Sequence, residues 1–233
     1  MHISKNIEII DLALYLEKEK TLILSDLHIG YEEFLNKKGV LIPRFQLQDL
    51  IKRISNILDR VDVSKIIING DLKHEFGTIS QQEWHDTFEI LDLFNSKEVI
   101  LIKGNHDTII GPIAEKKNIK IVDYYAINDI YICHGNNIPN DEDFKKSKIL
   151  IIGHEHPSVS FKERKDEKYK CFLKGKWKNK VLIVLPSCNL ITQGTDITKE
   201  KLLSPFLQQN LDNFEVFAVE NKIYDFGKLK DII

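Results

Sequence analysis

The sequence predicts an α/β protein in which a parallel sheet is joined to a second, mixed sheet. Three observations carry that prediction. Continuous apolar runs at Thr21–Leu24, Lys65–Ile68 and Val99–Ile102 read as strands buried on both faces. Segments of helical period separate these runs, and strand–helix–strand order makes parallel crossovers. After Pro157 the strand-type runs follow one another without long helices, which predicts an antiparallel portion.

Taken in order, Ile7–Ile10 and Leu12–Leu16 are short strands, with a charged turn at Glu17–Lys20 before the first buried run. After a loop, Pro43 opens a helix to about Arg60, because Leu47, Leu50, Ile51, Ile54, Ile57 and Leu58 recur at helical spacing. A second helix spans Gln81 to Phe94, with Trp84, Phe88, Leu91 and Phe94 on its apolar face. Pro112–Lys117 reads as a short helix, and Ile119–Ile127, Ile130–Cys133 and Lys148–Ile152 as strands. Ser158–Phe161, Tyr169–Leu173 and Val181–Leu185 form the antiparallel part. Lys199–Leu203 reads as a helical turn, and Phe214–Val219 with Ile223–Phe226 as a closing hairpin. There is no repeat, no low-complexity stretch and no linker, so residues 1–233 are expected to form one domain.

A chain of 233 residues with 42% apolar and 29% charged residues has the composition of a globular protein with a substantial core. A net charge of −2 provides no global basic field for nucleic acid, though a local patch would suffice. The three cysteines form no C-x-x-C pair and no disulfide framework. No signal-type segment opens the sequence and no apolar run reaches membrane-spanning length. A reduced, cytoplasmic protein with no membrane partner is expected.

The chemistry lies at the strand ends. Thr21–Leu24 runs into Ser25-Asp26-Leu27-His28, and Lys65–Ile68 into Asn69-Gly70-Asp71. Val99–Ile102 leads to Gly104-Asn105-His106-Asp107, Ile130–Cys133 to His134-Gly135, and Lys148–Ile152 to Gly153-His154-Glu155-His156. In parallel sheets, sites gather beyond the carboxyl ends of strands. Asp26 and His28 are two apart, as are His154 and His156, so on extended backbone each pair points one way. Any one of these pieces is more often an incidental polar turn; five in one chain imply a shared site. Asp26, His28, Asp71, Asn105, His134, His154 and His156 are more donors than one ion needs, whereas two divalent ions sharing Asp71 would use them. Imidazole mixed with oxygen suits Mn, Fe, Zn or Ni better than Mg or Ca, and manganese is the expected metal. His106 is the candidate proton donor to a leaving oxygen, and Asp107 the candidate to hold its imidazole and favour the charged form.

The ordered set Asp26-x-His28, Gly70-Asp71, Gly104-Asn105-His106-Asp107, His134-Gly135 and Gly153-His154-x-His156 resembles the calcineurin-like metallophosphoesterases. The resemblance spans about residues 20 to 190. It implies two packed mixed β-sheets flanked by helices, a four-layer αββα arrangement. It also implies that Asp26, His28 and His156 hold one ion, Asn105, His134 and His154 the other, and Asp71 both. More narrowly, Asp26–Glu32, Gly70–Phe76 and Leu203-Ser204-Pro205-Phe206 look like small archaeal phosphoesterases related to the SbcD nuclease and like bacterial PdeM proteins.

Protein phosphatases of that superfamily carry an arginine after the bridging aspartate, which clamps a phosphomonoester dianion. Here the residues are Leu72-Lys73-His74-Glu75, which favours a phosphodiester, with Lys73 and His74 as candidate substrate contacts. Tyr31 and Arg44 are weaker candidates, and Tyr31 is expected to pack with a wet hydroxyl. Cys133 should face the core, and His2 and His85 the surface. The nine Lys/Arg against three Asp/Glu in Lys162–Lys180 suit a solvated hairpin, the favoured reading, or a phosphate-backbone surface. The expected activity is phosphodiester hydrolysis on DNA or RNA. A small-molecule phosphodiesterase or phosphatase is the alternative, and a non-catalytic scaffold the third reading.

Overall fold

The structure is a computed structural model and describes every residue except Pro43, Arg44, Thr78, Lys162, Glu163 and Ile233, with no side chain described at 164–166. The first sheet starts as an antiparallel meander of β1 (His2–Ser4), β2 (Ile7–Ile10), β3 (Ala13–Leu16) and β4 (Thr21–Ser25). From β4 the chain passes through α1 (Tyr31–Lys37) and α2 (Gln46–Leu58) to β5 (Lys65–Asn69). It continues through α3 (Gln81–Asp92) to β6 (Glu98–Ile102) and through α4 (Gly111–Lys117) to β7 (Lys120–Val122). β4, β5, β6 and β7 are parallel neighbours in that order. Every crossover therefore steps the same way. Right-handed crossovers then place α2, α3 and α4 on one face, leaving the other to a second sheet.

That second sheet contains β8 (Tyr124–Ile127), β9 (Ile130–Cys133), β10 (Ile149–Ile152), β11 (Pro157–Phe161), β12 (Arg164–Trp177), β13 (Lys180–Val184), β14 (Thr195–Asp196), β15 (Glu215–Val219) and β16 (Ile223–Lys228). α5 (Glu142–Lys146) lies between β9 and β10. β9, β10 and β13 run parallel, while β8, β12, β15 and β16 pair antiparallel to their neighbours. Strand alternation sorts the side chains. Ile132, Ile151, Ile183 and Phe217 join the core shared with Ile23, Ile67 and Ile100 of the first sheet. Tyr131, Cys133, Leu150, Ile152, Leu182 and Val184 face the other way, onto Phe144 of α5 and Phe206. The layers are helices, sheet, sheet and a thin helical cover, as the family resemblance implied.

Several elements differ from the sequence reading. The helix expected from Pro43 begins at Gln46, and Pro43 itself lies outside the described residues. α1 and α5 were not expected. α1 buries no residue fully and so shows no apolar stripe, and α5 is too short for one. The single strand expected over Ile119–Ile127 breaks at Asp123, where the chain leaves the first sheet for the second. The turn expected at Lys199–Leu203 is instead a 3₁₀ turn at Pro205–Leu207. The basic stretch is largely the long strand β12. Within it Lys168 pairs with Glu200, and Lys174 with Glu215 at 2.8 Å. Lys170 donates to the Ser187 and Asn189 carbonyls, and just past the strand Lys180 donates to those of Lys145 and Ser147. These amines tie the hairpin to the body. His2 and His85 are exposed and Cys133 is buried. No helix among the described residues is long and apolar enough to cross a membrane.

Candidate metal centre

The ends of β4, β5 and β6 in one sheet meet the ends of β9 and β10 in the other. Asp26, His28, Asp71, Asn105, His134, His154 and His156 all arrive at that junction. Two triads have ligand atoms within 4.8 Å of one another: Asp26, His28 and His156, and Asp71, His134 and His154. The means of convergence is not strand alternation. Asp26, His28, Asp71, His154 and His156 all have positive φ, between 45° and 66°. Each lies past its strand in left-handed backbone, which costs an L-residue roughly 1–2 kcal/mol. Two glycines of the motifs have a steric role. A Cβ on Gly104 would collide with the Asp71 carboxylate and backbone nitrogen, and one on Gly153 with Ser25 Oγ and Asp26 Oδ2.

The donor atoms face one another. His28 Nε2 stands 3.2 Å from His156 Nε2, and His154 Nδ1 3.2 Å from His134 Nε2. Asn105 Oδ1 is 2.9 Å from His134 Nε2. Asp71 divides its two oxygens. Oδ1 accepts the His106 N–H at 2.8 Å, whereas Oδ2 lies 3.4 Å from His134 Nε2 and 3.8 Å from His28 Nε2, so one oxygen faces both triads. Asp26 Oδ2 accepts from Ser25 Oγ at 2.6 Å and from the His154 N–H at 3.1 Å. Asp26 Oδ1 is buried and has no hydrogen-bond donor among the described residues.

That donor set fits cations. An orphaned carboxylate oxygen beside imidazole lone pairs is costly unless a positive charge sits there. Burial lowers the pKa of His28 to about 3, and of His154 to about 4, so both rings are neutral and can ligate. Burial alone would raise Asp26 and Asp71, but the imidazoles, His156 at Asp26 and His134 at Asp71 foremost, hold both carboxylates below their usual range. Burial would likewise lower His134, yet its hydrogen bond to Asp71 and the charge of Asp26 lift it to about 9. His134 Nδ1 faces the Asn69 carbonyl at 3.4 Å, which keeps a proton there, so the proton that a cation would displace is the one on Nε2.

His106 joins this centre through Nε2, 4.0 Å from Asp71 Oδ2, while its Nδ1 donates to the His74 carbonyl at 2.5 Å. The orienting partner is therefore not Asp107, as the sequence suggested. Asp107 is buried, and its carboxylate accepts the N–H groups of Leu72 at 3.1 Å, Lys73 at 3.5 Å and Gly104 at 3.0 Å. It staples the Asp71 loop to the Asn105 loop. Lys73 also departs from the sequence expectation. It is fully buried, and its amine donates to the carbonyls of Glu75 and His106, which removes it from the candidate substrate contacts. His74 stays at the site, with Nδ1 3.3 Å from His28 Nδ1 and its ring 4.5 Å from that of Tyr31. Arg44 lies outside the described residues.

Sequence reasoning missed a brace opposite these loops, Ser187-Cys188-Asn189. The Cys188 N–H donates to the Ser25 carbonyl at 2.8 Å and Ser187 Oγ to the Asp26 carbonyl at 2.6 Å. Asn189 Nδ2 donates to the carbonyls of Leu27 and His28 at 3.1 and 3.2 Å. Its Oδ1 accepts from Ile191 and Thr192 at 2.9 and 3.1 Å. Polar Ser187 and Asn189, shortly after an apolar strand, were the available signal. Glu155 ties the Leu203-Ser204 segment to the site in the same manner, accepting their N–H groups at 2.8 and 2.7 Å.

Above the clustered donors is a cavity of about 290 Å³. Tyr31, His74 and His106 line part of it, and Asn189, Thr192, Thr195 and Leu203 another. No lysine or arginine lines it among the described residues.

The sequence profile described as calcineurin-like phosphoesterase matches residues 19–212. The crystal structure of Pseudomonas putida nuclease MPE is similar, with a TM-score of 0.69 and 19% identity over 93% of this chain and 92% of that one. A protein of unknown function from Aquifex aeolicus gives a TM-score of 0.40 and 20% identity over 58% of this chain and 78% of that one. No curated protein sequence matches.

Proposed function

Because this chain belongs to the calcineurin-like phosphoesterase family, whose members hydrolyse phosphoesters with divalent metal ions, we propose that it is a dinuclear phosphodiesterase acting on nucleic acid. Asp26, His28 and His156 hold one cation, and Asn105, His134 and His154 the second. Asp71, whose Oδ2 faces the two triads, would serve both. Nitrogen and oxygen donors together suit manganese, iron, zinc or nickel. Such cations supply Lewis acidity toward a phosphoryl oxygen and a more acidic water. The chain's own residues do the rest. Asn189 and the strained loops fix the donors before substrate arrives. His106, oriented by the His74 carbonyl, presents Nε2 for proton transfer to the leaving oxygen. Asp107 acts as a positioning residue for the two loops rather than as a proton carrier.

The observation that carries the diester reading is the cavity lining without a lysine or guanidinium among the described residues. A phosphomonoester dianion calls for such a clamp, whereas a diester monoanion is matched by the cations and neutral donors. The match to the fold of a nuclease fits a polynucleotide substrate. A cavity of about 290 Å³, near the size of small-molecule pockets, favours the second reading, a small-molecule phosphodiesterase. The test is hydrolysis with Mn²⁺ of a single-stranded oligonucleotide, a cyclic nucleotide, a chromogenic diester and a chromogenic monoester. The oligonucleotide is expected to be cut. Turnover of the small esters with the oligonucleotide left intact would remove the nuclease reading.

A further inference from the structure

We propose that Phe76 is a stacking platform for the nucleobase on the leaving-group side of the scissile phosphate. The inference rests on the polynucleotide reading of the same site. Phe76 is 54% exposed, so burial in the core does not account for it. One face of its ring lies against His106, with centroids 3.9 Å apart and an interplanar angle of 32°. The loop that carries it is tied down from several sides. The N–H groups of His74 and Glu75 donate to the buried Glu83 carboxylate, each at 3.1 Å. The Glu75 carbonyl accepts from Lys73 Nζ, and the Phe76 carbonyl from Thr108 Oγ1. An aromatic ring held on an anchored loop with its outer side open to solvent can stack a base at little ordering cost.

Its position decides which base. His106 Nε2 is aimed at Asp71 Oδ2, so the leaving oxygen comes to His106 from the metal side. Phe76 does not line the cavity itself but lies against His106 at its edge, where a nucleoside leaving past the imidazole would meet it. Phe76 therefore sets a preference for leaving groups with a planar base, independent of base identity because every base has a π-face.

The test compares two single-stranded dinucleotides with Mn²⁺, identical except that the leaving-side base is replaced by hydrogen in one. The readout is the ratio of their kcat/KM values. The wild type is expected to favour the base-bearing diester on the order of tenfold, mostly through KM. Phe76→Ala and Phe76→Leu collapse that ratio toward one, and Phe76→Trp keeps it. A wild-type ratio near one overturns the proposal. So does a Phe76→Ala loss that falls equally on both diesters, which would make the ring a support for His106 only. Cleavage of neither dinucleotide by a wild type that turns over small esters would instead count against the polynucleotide reading, and the stacking proposal would fall with it.

Discussion

Asn189→Ala should loosen one cation site more than it loosens the fold. The side chain makes four hydrogen bonds, two given to the Leu27 and His28 carbonyls and two received from Ile191 and Thr192. It is 6% exposed, so water can replace few of them. At about 1 kcal/mol net for each bond, their loss amounts to about 4 kcal/mol. The bonds to Leu27 and His28 oppose relaxation of Asp26 and His28, whose φ values are 53° and 45°. Releasing two left-handed residues returns roughly 2–4 kcal/mol. The net cost to folding is then only about 0–2 kcal/mol. Binding a cation with Asp26 and His28 must impose that strain again. Affinity at that site should fall by about 2–4 kcal/mol, on the order of a hundredfold. Calorimetric titration of Mn²⁺ into metal-free wild type and variant reads the affinities, and urea unfolding of the same samples reads stability. One weakened equivalent beside a nearly unchanged second is expected. Wild-type affinity at both sites, together with a stability loss near the full 4 kcal/mol, would refute the reasoning, because the brace would then support the fold without preorganising the ligands.

Three further outcomes follow from the same geometry. His106→Ala should retain both cations and lose on the order of 10²-fold or more in kcat; a drop in metal content, read by elemental analysis, would make the ring a ligand instead. Asp71→Asn should weaken both cation sites together, since Oδ2 faces both triads, and a titration that loses only one equivalent would contradict the bridge. Burial lowers the pKa of Lys170 to about 8 from 10.5, so between those values the unfolded chain binds more protons than the folded one and stability rises with pH. The stability of wild type relative to Lys170→Met should therefore climb from pH 8 to 10, by at most about 1.4 kcal/mol per unit. Chemical denaturation across that range checks it, and a flat difference would show that the amine titrates as it does in solvent.

Much of the architecture was legible locally. The buried runs before Asp26, Asp71 and Asn105 became neighbouring parallel strands because apolar length and crossover order leave few alternatives. The break at Asp123 was not legible, since a chain that changes sheets keeps the same extended, apolar character on both sides. The candidate ligands were legible as residue types at strand ends, but the reason for their convergence was not. Extended backbone would have aligned Asp26 with His28; left-handed backbone at both, and at His154 and His156, does so instead. Asp107 and Lys73 sit beside key residues in sequence, yet both turn inward to hold loop backbone. Adjacency in sequence says nothing about which way a loop side chain points.

The amino-acid sequence by itself determined the kind of chemistry, because imidazoles, carboxylates and an amide at the ends of apolar strands are donors whatever their arrangement. It also determined the sheet that delivers three of the five strand ends, through the period of its apolar residues. Only the tertiary structure decided that Asp71 faces both triads, that a backbone carbonyl orients His106, and that Asn189 holds the strained loop in place. Those relations join residues as many as 162 positions apart. Contacts at such separation are fixed by the packing of one sheet on the other, and local periodicity does not encode that packing.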